Sequence, residues 1–218
     1  MIRQLASSFA DEFYRLDRAL FSRTGSERSG VIQFTACHWS EGVTSTTLAF
    51  ASFLASVHAS DHLLVVEANL RRPSFHEMLN LSSGKSFVDA LDNSEPMESA
   101  IELVPEYGFW ATPATKEPGQ ERKVAFESTL ERLEPALLEV RKSYPCILLD
   151  TPPVIPFIDS TIISGMTDGV VLVVESSLTR AQVVDHALEK LRSSGAKLLG
   201  IVLNKREFHI PKWIYRFL

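Results

Sequence analysis

The sequence predicts an α/β fold, a mostly parallel central sheet with helices on both faces, and three features of the chain point to it. Apolar, β-branched runs recur along the 218 residues, at 31–35, Leu63–Glu67, 147–150, Gly169–Glu175 and Leu198–Asn204. Stretches with helical spacing lie between them, at 44–57, 122–141 and 179–193, so strand and helix alternate. The runs are apolar at successive positions, as strands covered on both faces must be.

Taken in order, the first run passes through Thr35, Ala36, Cys37, His38, Trp39, Ser40, Glu41 and Gly42 straight into the helix at 44–57. A strand that feeds a loop and then a helix is the setting of a phosphate-binding loop, where the helix start offers unpaired N–H groups to an anion. The pattern G-x-x-x-x-G-K-[S/T] uses glycine for close backbone approach, lysine to neutralise phosphate and a hydroxyl to ligate magnesium. Gly42 and Thr44 hold the last glycine and hydroxyl positions, whereas Cys37 stands at the first glycine and Val43 at the lysine. The same residues also suit an ordinary corner in which Ser40 caps the helix and Gly42 turns the chain.

The second run ends with Glu67, Asn69 and Arg71 at alternate positions, which places them on one face of the strand end, and Arg72 and Pro73 follow. Glu67 suits a magnesium-bound water, or else a plain exposed strand end before a proline turn. The segment 82–119 is richer in Gly, Pro and Ser, holds a short strand at Phe109–Thr112, and reads as an excursion from one domain spanning 1–218. The run at 147–150 delivers Asp150 to a turn stiffened by Pro152 and Pro153, a Walker B arrangement. An acid at the tip of a buried strand needs a cation or hydrogen bonds to offset its desolvation, so Asp150 suits magnesium, with helix capping as the alternative. Gly195 supplies the stop of the third helix, and Asn204 ends the last run with an amide suited to adenine or to a turn.

Composition removes several classes. Twenty-two Lys and Arg against 27 Asp and Glu give a net charge of -5, so no overall positive field holds nucleic acid. The apolar stretch 170–174 falls far short of the roughly 20 residues of a membrane helix, and the first residues lack the apolar core of a secretion signal. A cytoplasmic protein is expected. Cys37 and Cys146 belong to no metal-ligand cluster and are expected to stay reduced, Cys146 in the core.

These motifs, in this order, resemble the bacterial tyrosine kinases of capsule and exopolysaccharide synthesis, a branch of the deviant P-loop ATPases related to MinD and ParA. The resemblance covers nearly the whole chain. The family's EGKST stands here as Glu41, Gly42, Val43, Thr44 and Ser45. Its D-x-D-x-R appears as Glu67, Ala68, Asn69, Leu70 and Arg71 with the following RRP intact, and its apolar-plus-DTPP motif occupies 148–153. The stretch 86–104 and the passage from 168 to Thr179 and Arg180 match as well. Glu12, Arg15 and Arg18 reproduce an E-x-x-R-x-x-R helix that in relatives contacts the neighbouring subunit; a salt-bridged, solvated surface is the alternative.

The resemblance implies nucleotide binding by Gly42, Val43, Thr44, Ser45 and Asn204, and metal binding by Thr44 and Asp150. It implies catalytic positions at Asp150, Glu67 and Asn69, and oligomerisation through Glu12, Arg15 and Arg18, with 1–29 forming the oligomerisation helix and linker. Three departures modify this. Val43 removes the loop ammonium, Asn69 cannot take a proton, and Glu67 is a methylene longer than the family's aspartate. The tyrosines stand scattered at 14, 107, 144 and 215 instead of clustering at the carboxyl end.

The expectation is therefore a kinase-like component with a degenerate site, in which binding of ATP or ADP with Mg2+ is weakened or absent. It would form homo-oligomers and dock on a separate membrane polysaccharide co-polymerase at the inner membrane face. The tail 205–218 mixes Lys205, Arg206, His209, Lys212 and Arg216 with aromatic residues, which suits an anionic membrane, a partner's groove or packing on its own domain. Two alternatives stand beside this: a working tyrosine kinase in which Arg71 or Arg72 replaces the lysine, and a partition-type ATPase.

Overall fold

The computed structural model describes residues 1–21, 28–58, 62–81, 84–115 and 126–205. Among them, strands β1 (Gly30–Ala36), β2 (Leu63–Glu67), β3 (Glu102–Val104), β4 (Phe109–Thr112), β5 (Cys146–Asp150), β6 (Gly169–Glu175) and β7 (Leu198–Asn204) form one sheet. Its order is β3-β4-β2-β5-β1-β6-β7, and every pair is parallel except β3 with β4. The antiparallel edge strand β3 is an addition to the sequence reading.

Helices α1 (Ile2–Ser8), α2 (Ala10–Phe21), α3 (Val43–Val57), α4 (Phe75–Leu79), α5 (Phe87–Asp92), α6 (Phe126–Val140), α7 (Asp159–Ser164) and α8 (Ala181–Ser193), with a short 3-10 turn at Met97–Ala100, cover the sheet. The two-residue period of the strands sorts the core. Ile32, Phe34, Leu63, Val65, Cys146, Leu148, Val171 and Val173 face α1, α2 and α3. On the opposite face, Val31, Leu64, Val66, Ile147 and Leu149 meet α5 and α6, and Val170, Leu172 and Val174 meet α8. Each fully buried Phe, Leu or Val removes about 1.5 to 3 kcal/mol of apolar exposure, so this alternation fixes the register of every strand.

The local signals explain the ends. α3 is apolar around most of its circumference, buried from Thr46 to Leu54, because it fills the layer under α1 and α2. α8 stops at Gly195, whose φ of +79 lets its N–H reach the Arg192 carbonyl and the Ala196 N–H reach that of Leu191. α2 buries Phe13, Asp17 and Phe21 at intervals of four and exposes Glu12, Arg15 and Arg18. The buried Asp17 carboxylate is held by Arg28 through two bonds of 2.5 and 2.7 Å, with His58 Nε2 at 3.2 Å, which fastens α2 to the body. Both cysteines are buried and unbridged, and burial pushes each thiol up to about 12. Among the described residues no helix is long and apolar enough to cross a membrane. The tail beyond Lys205 lies outside the described residues, as does 22–27 of the expected linker.

Candidate nucleotide-binding site

In this strand order the carboxyl ends of β2, β5 and β1 lie side by side, and the loops leaving them converge where open parallel sheets bind ligands. The loop after β1 turns into α3 at Gly42, which has φ of +90. This φ favours glycine, and a Cβ there would stand 2.2 Å from Asn204 Nδ2, so any side chain would also have to push the Asn204 amide aside. Asn204 donates one N–H of that same Nδ2 to the Glu41 carbonyl at 2.9 Å. Ser40 has φ of +67 and does not cap α3, which begins without any side-chain cap; this corrects the capping alternative. The first bond of α3 runs from Thr46 N–H to the Gly42 carbonyl at 3.0 Å, leaving the amides of Val43, Thr44 and Ser45 at the open helix start.

Glu41 braces the loop from inside. It is 3% exposed and accepts from Cys37 N at 2.7 Å, from His38 N at 3.0 Å and from the Thr179 hydroxyl. Val43, at the lysine position, is half-buried against the α3 face of the core. The apolar side chain is therefore at home where a lysine would have to reach outward.

Thr44 Oγ1 donates to Asp150 Oδ2 at 2.7 Å. Asp150 is fully buried, and its other oxygen, Oδ1, has no partner. Burial pushes the carboxyl up to about 8; the Thr44 hydroxyl pulls it down and the charge of Glu67 pushes it further up. A buried, unpartnered carboxylate oxygen beside a hydroxyl at an open helix start fits a magnesium ion with phosphate, so Thr44 and Asp150 are the residues that would hold the ion. When bound, such an ion neutralises phosphate charge and orients the nucleotide.

Glu67 has a different task. Its Oε1 accepts from Ser74 N and from Phe75 N at 2.8 Å, and Oε2 accepts from Ala114 N at 2.9 Å. At 1% exposure it is no exposed strand end, which corrects that alternative. Burial pushes it up to about 7 against the pull of those three N–H groups. Asn69 is also buried, and its Oδ1 accepts from Arg72 N at 3.2 Å, shaping the turn. Arg71 pairs with the buried Asp159 through bonds of 2.5 and 2.9 Å and lies 4.1 Å over the Phe157 ring. Arg72 lies 4.4 Å over the Trp39 ring.

Below the site, Gln33 Nε2 donates to Thr151 Oγ1 and the Ser160 carbonyl, both at 3.0 Å, and Thr35 Oγ1 donates to the Pro152 carbonyl at 2.8 Å. These bonds fix the turn behind Asp150. Gln33 and Thr35 are polar residues within an otherwise apolar run, the one signal that could have marked them in the sequence. Glu41 and Thr179 stand in stretches that match the family without a role attached, and Trp39, Phe157 and Asp159 carried no mark.

No protein-family model matches the chain. It is 26% identical to the tyrosine-protein kinase YwqD of Bacillus subtilis over 204 residues, covering 92% of this chain and 83% of that protein. Its structure superposes on the VpsO kinase domain with a TM-score of 0.77 at 23% identity, covering 94% and 95% of the two chains. The chain has the P-loop fold of the bacterial tyrosine kinases. The same kinase-type fold extends to MinD of Pyrococcus horikoshii, solved in complex with Mg-ADP, with a TM-score of 0.65 at 16% identity and 86% and 76% coverage. Some relatives are much longer: the chain spans 26% of the succinoglycan biosynthesis transport protein ExoP of Rhizobium meliloti, at 21% identity over 203 residues.

Proposed function

We propose that this chain is a kinase-like component of exopolysaccharide or capsule synthesis that keeps a magnesium-nucleotide site and has lost efficient phosphoryl transfer. The single observation behind this reading is the contrast between two adjacent positions at the start of α3. Thr44 and Asp150 retain the cation pair, while Val43 turns to the core where the transferring phosphate would meet a lysine. The occupation of Glu67 by three backbone amides and of Asn69 by a turn supports it, since neither is free to take a proton from an attacking hydroxyl.

In this reading the protein acts in the cytoplasm by assembly, with nucleotide occupancy setting the shape of the loops. Copies of the chain meet through the exposed face of Glu12, Arg15 and Arg18, and a membrane polysaccharide co-polymerase recruits them. The names of the relatives, tyrosine kinases and a succinoglycan transport protein, support the pathway class. Calorimetric titration with Mg-ATP beside a Val43→Lys variant tests it. Micromolar to millimolar binding by wild type, lost in Asp150→Ala, with no transfer of label from ATP to tyrosine, is the expected result. Sustained tyrosine labelling by the wild type, abolished in Asp150→Ala, would overturn the loss of catalysis in favour of the working kinase.

A further inference from the structure

A phosphate site that has lost its lysine needs another cation, and among the described cationic side chains Lys205 touches this loop while Arg71 and Arg72 come from the loop after β2. Lys205 is occupied: its ammonium donates to the Ser40 carbonyl at 2.6 Å and to Glu175 at 2.9 Å. Arg71 is occupied by the two-bond pair with Asp159. Arg72 differs, because its guanidinium rests on the Trp39 ring and makes no hydrogen bond or ion pair with any described residue. A guanidinium stacked by its face keeps its five N–H donors directed outward from its edge.

The position of Arg72 is built. Asn69 fixes its backbone N–H, Trp39 supports its side chain, and Trp39 meets Phe157 edge-on with ring centroids 5.3 Å apart. Phe157 in turn supports Arg71. Arg72 and Trp39 thus join the loop after β2 to the loop after β1, and Phe157 brings in the segment after β5. Since β5 lies between β1 and β2, this strap crosses the carboxyl end of β5, where the buried Asp150 keeps an oxygen without partner. Asn204, at the end of β7, approaches the same loop from the other side of β1. Arg72 and Asn204 thus reach the loop after β1 from opposite sides.

We propose that Arg72 is the ligand of the terminal phosphate of a nucleoside triphosphate, a guanidinium delivered from the loop after β2 in place of the ammonium missing at Val43, with Trp39 as its seat. This rests on the nucleotide-site reading above and adds to it a preference for triphosphate over diphosphate.

Calorimetric titrations of the full chain with Mg-ATP and with Mg-ADP, for wild type, Arg72→Ala, Arg72→Lys and Trp39→Leu, test it. Loss of one charge-assisted contact weakens Mg-ATP binding by about tenfold or more in Arg72→Ala. Mg-ADP binding stays within about twofold, because that contact belongs to the last phosphate. Arg72→Lys loses less than Arg72→Ala, and Trp39→Leu shifts the ATP to ADP ratio in the same direction. Equal losses for ATP and ADP, or no loss for either, overturn the assignment of Arg72 while leaving the site intact. A wild type that melts cooperatively yet binds neither nucleotide overturns the nucleotide site itself. Thermal unfolding of each variant accompanies the titrations, and if Arg72→Ala melts lower than wild type the Arg72→Lys ratio decides.

Discussion

Glu67 and Asp150 are register partners on adjacent parallel strands, so two buried carboxyl groups face the same side of the sheet at its carboxyl end. Burial raises both, to about 7 and about 8, from ordinary values near 4. Between roughly pH 4 and pH 8 the folded chain therefore holds more protons at these sites than the unfolded chain, and their contribution to stability falls as pH rises. Asp150→Asn removes one of the two groups. Urea unfolding at pH 5 and pH 8 should show the difference between variant and wild type moving in the variant's favour at the higher pH; a difference independent of pH would refute the assignment.

Glu67→Gln replaces one acceptor oxygen by an amide that faces a backbone N–H. With three N–H partners at stake, the variant should lose about 1 to 3 kcal/mol of unfolding free energy. A midpoint equal to wild type in urea would show that the carboxylate is not a fastener.

Gly42→Ala combines a positive φ with a collision against Asn204, and about 1 to 3 kcal/mol of destabilisation is expected. Asn204→Ala in the same chain should recover part of that loss, because the clash is shared between the two residues. Strict additivity of the two single losses would argue against the close approach.

Asp17 is 1% exposed while Arg28 keeps a quarter of its side chain in solvent. Removing the arginine strands the buried carboxylate with His58 alone beside it, whereas removing the aspartate leaves a guanidinium that is already partly solvated, so loss of Arg28 should cost more. In chemical denaturation Arg28→Ala should be less stable than Asp17→Ala by about 1 kcal/mol or more; the reverse order would mean that the pair does not anchor α2.

The exposed arginines of α2 carry the assembly proposal. Light scattering on Arg15→Glu combined with Arg18→Glu should give the mass of one 24.3 kDa chain where the wild type is larger. Unchanged oligomers would remove that helix face as the contact.

The strands were legible because they are apolar at successive positions and end in polar or proline-rich turns, and β2, β4, β6 and β7 begin and end where the residues suggest. β3 was not, since its three residues form a partly exposed edge without any period. α4, α5 and α7, at five or six residues, are too short to complete a helical repeat. In the site, Thr44 and Asp150 stand out by motif. The work of Glu67 does not, because its partners lie 7, 8 and 47 residues away. Glu41 is hidden for the same reason, its hydroxyl partner being 138 residues distant. The left-handed turn at Ser40 leaves no trace in residue type, so a serine before a helix passed for a cap.

The bonds from Asn204 to the Glu41 carbonyl and from Lys205 to the Ser40 carbonyl stitch the last strand of the sheet to the loop that follows the first. A shift of residues 204 and 205 therefore bears directly on the two residues that precede Gly42. The far edge of the sheet and the helix start that would receive phosphate are thus mechanically joined through two side chains.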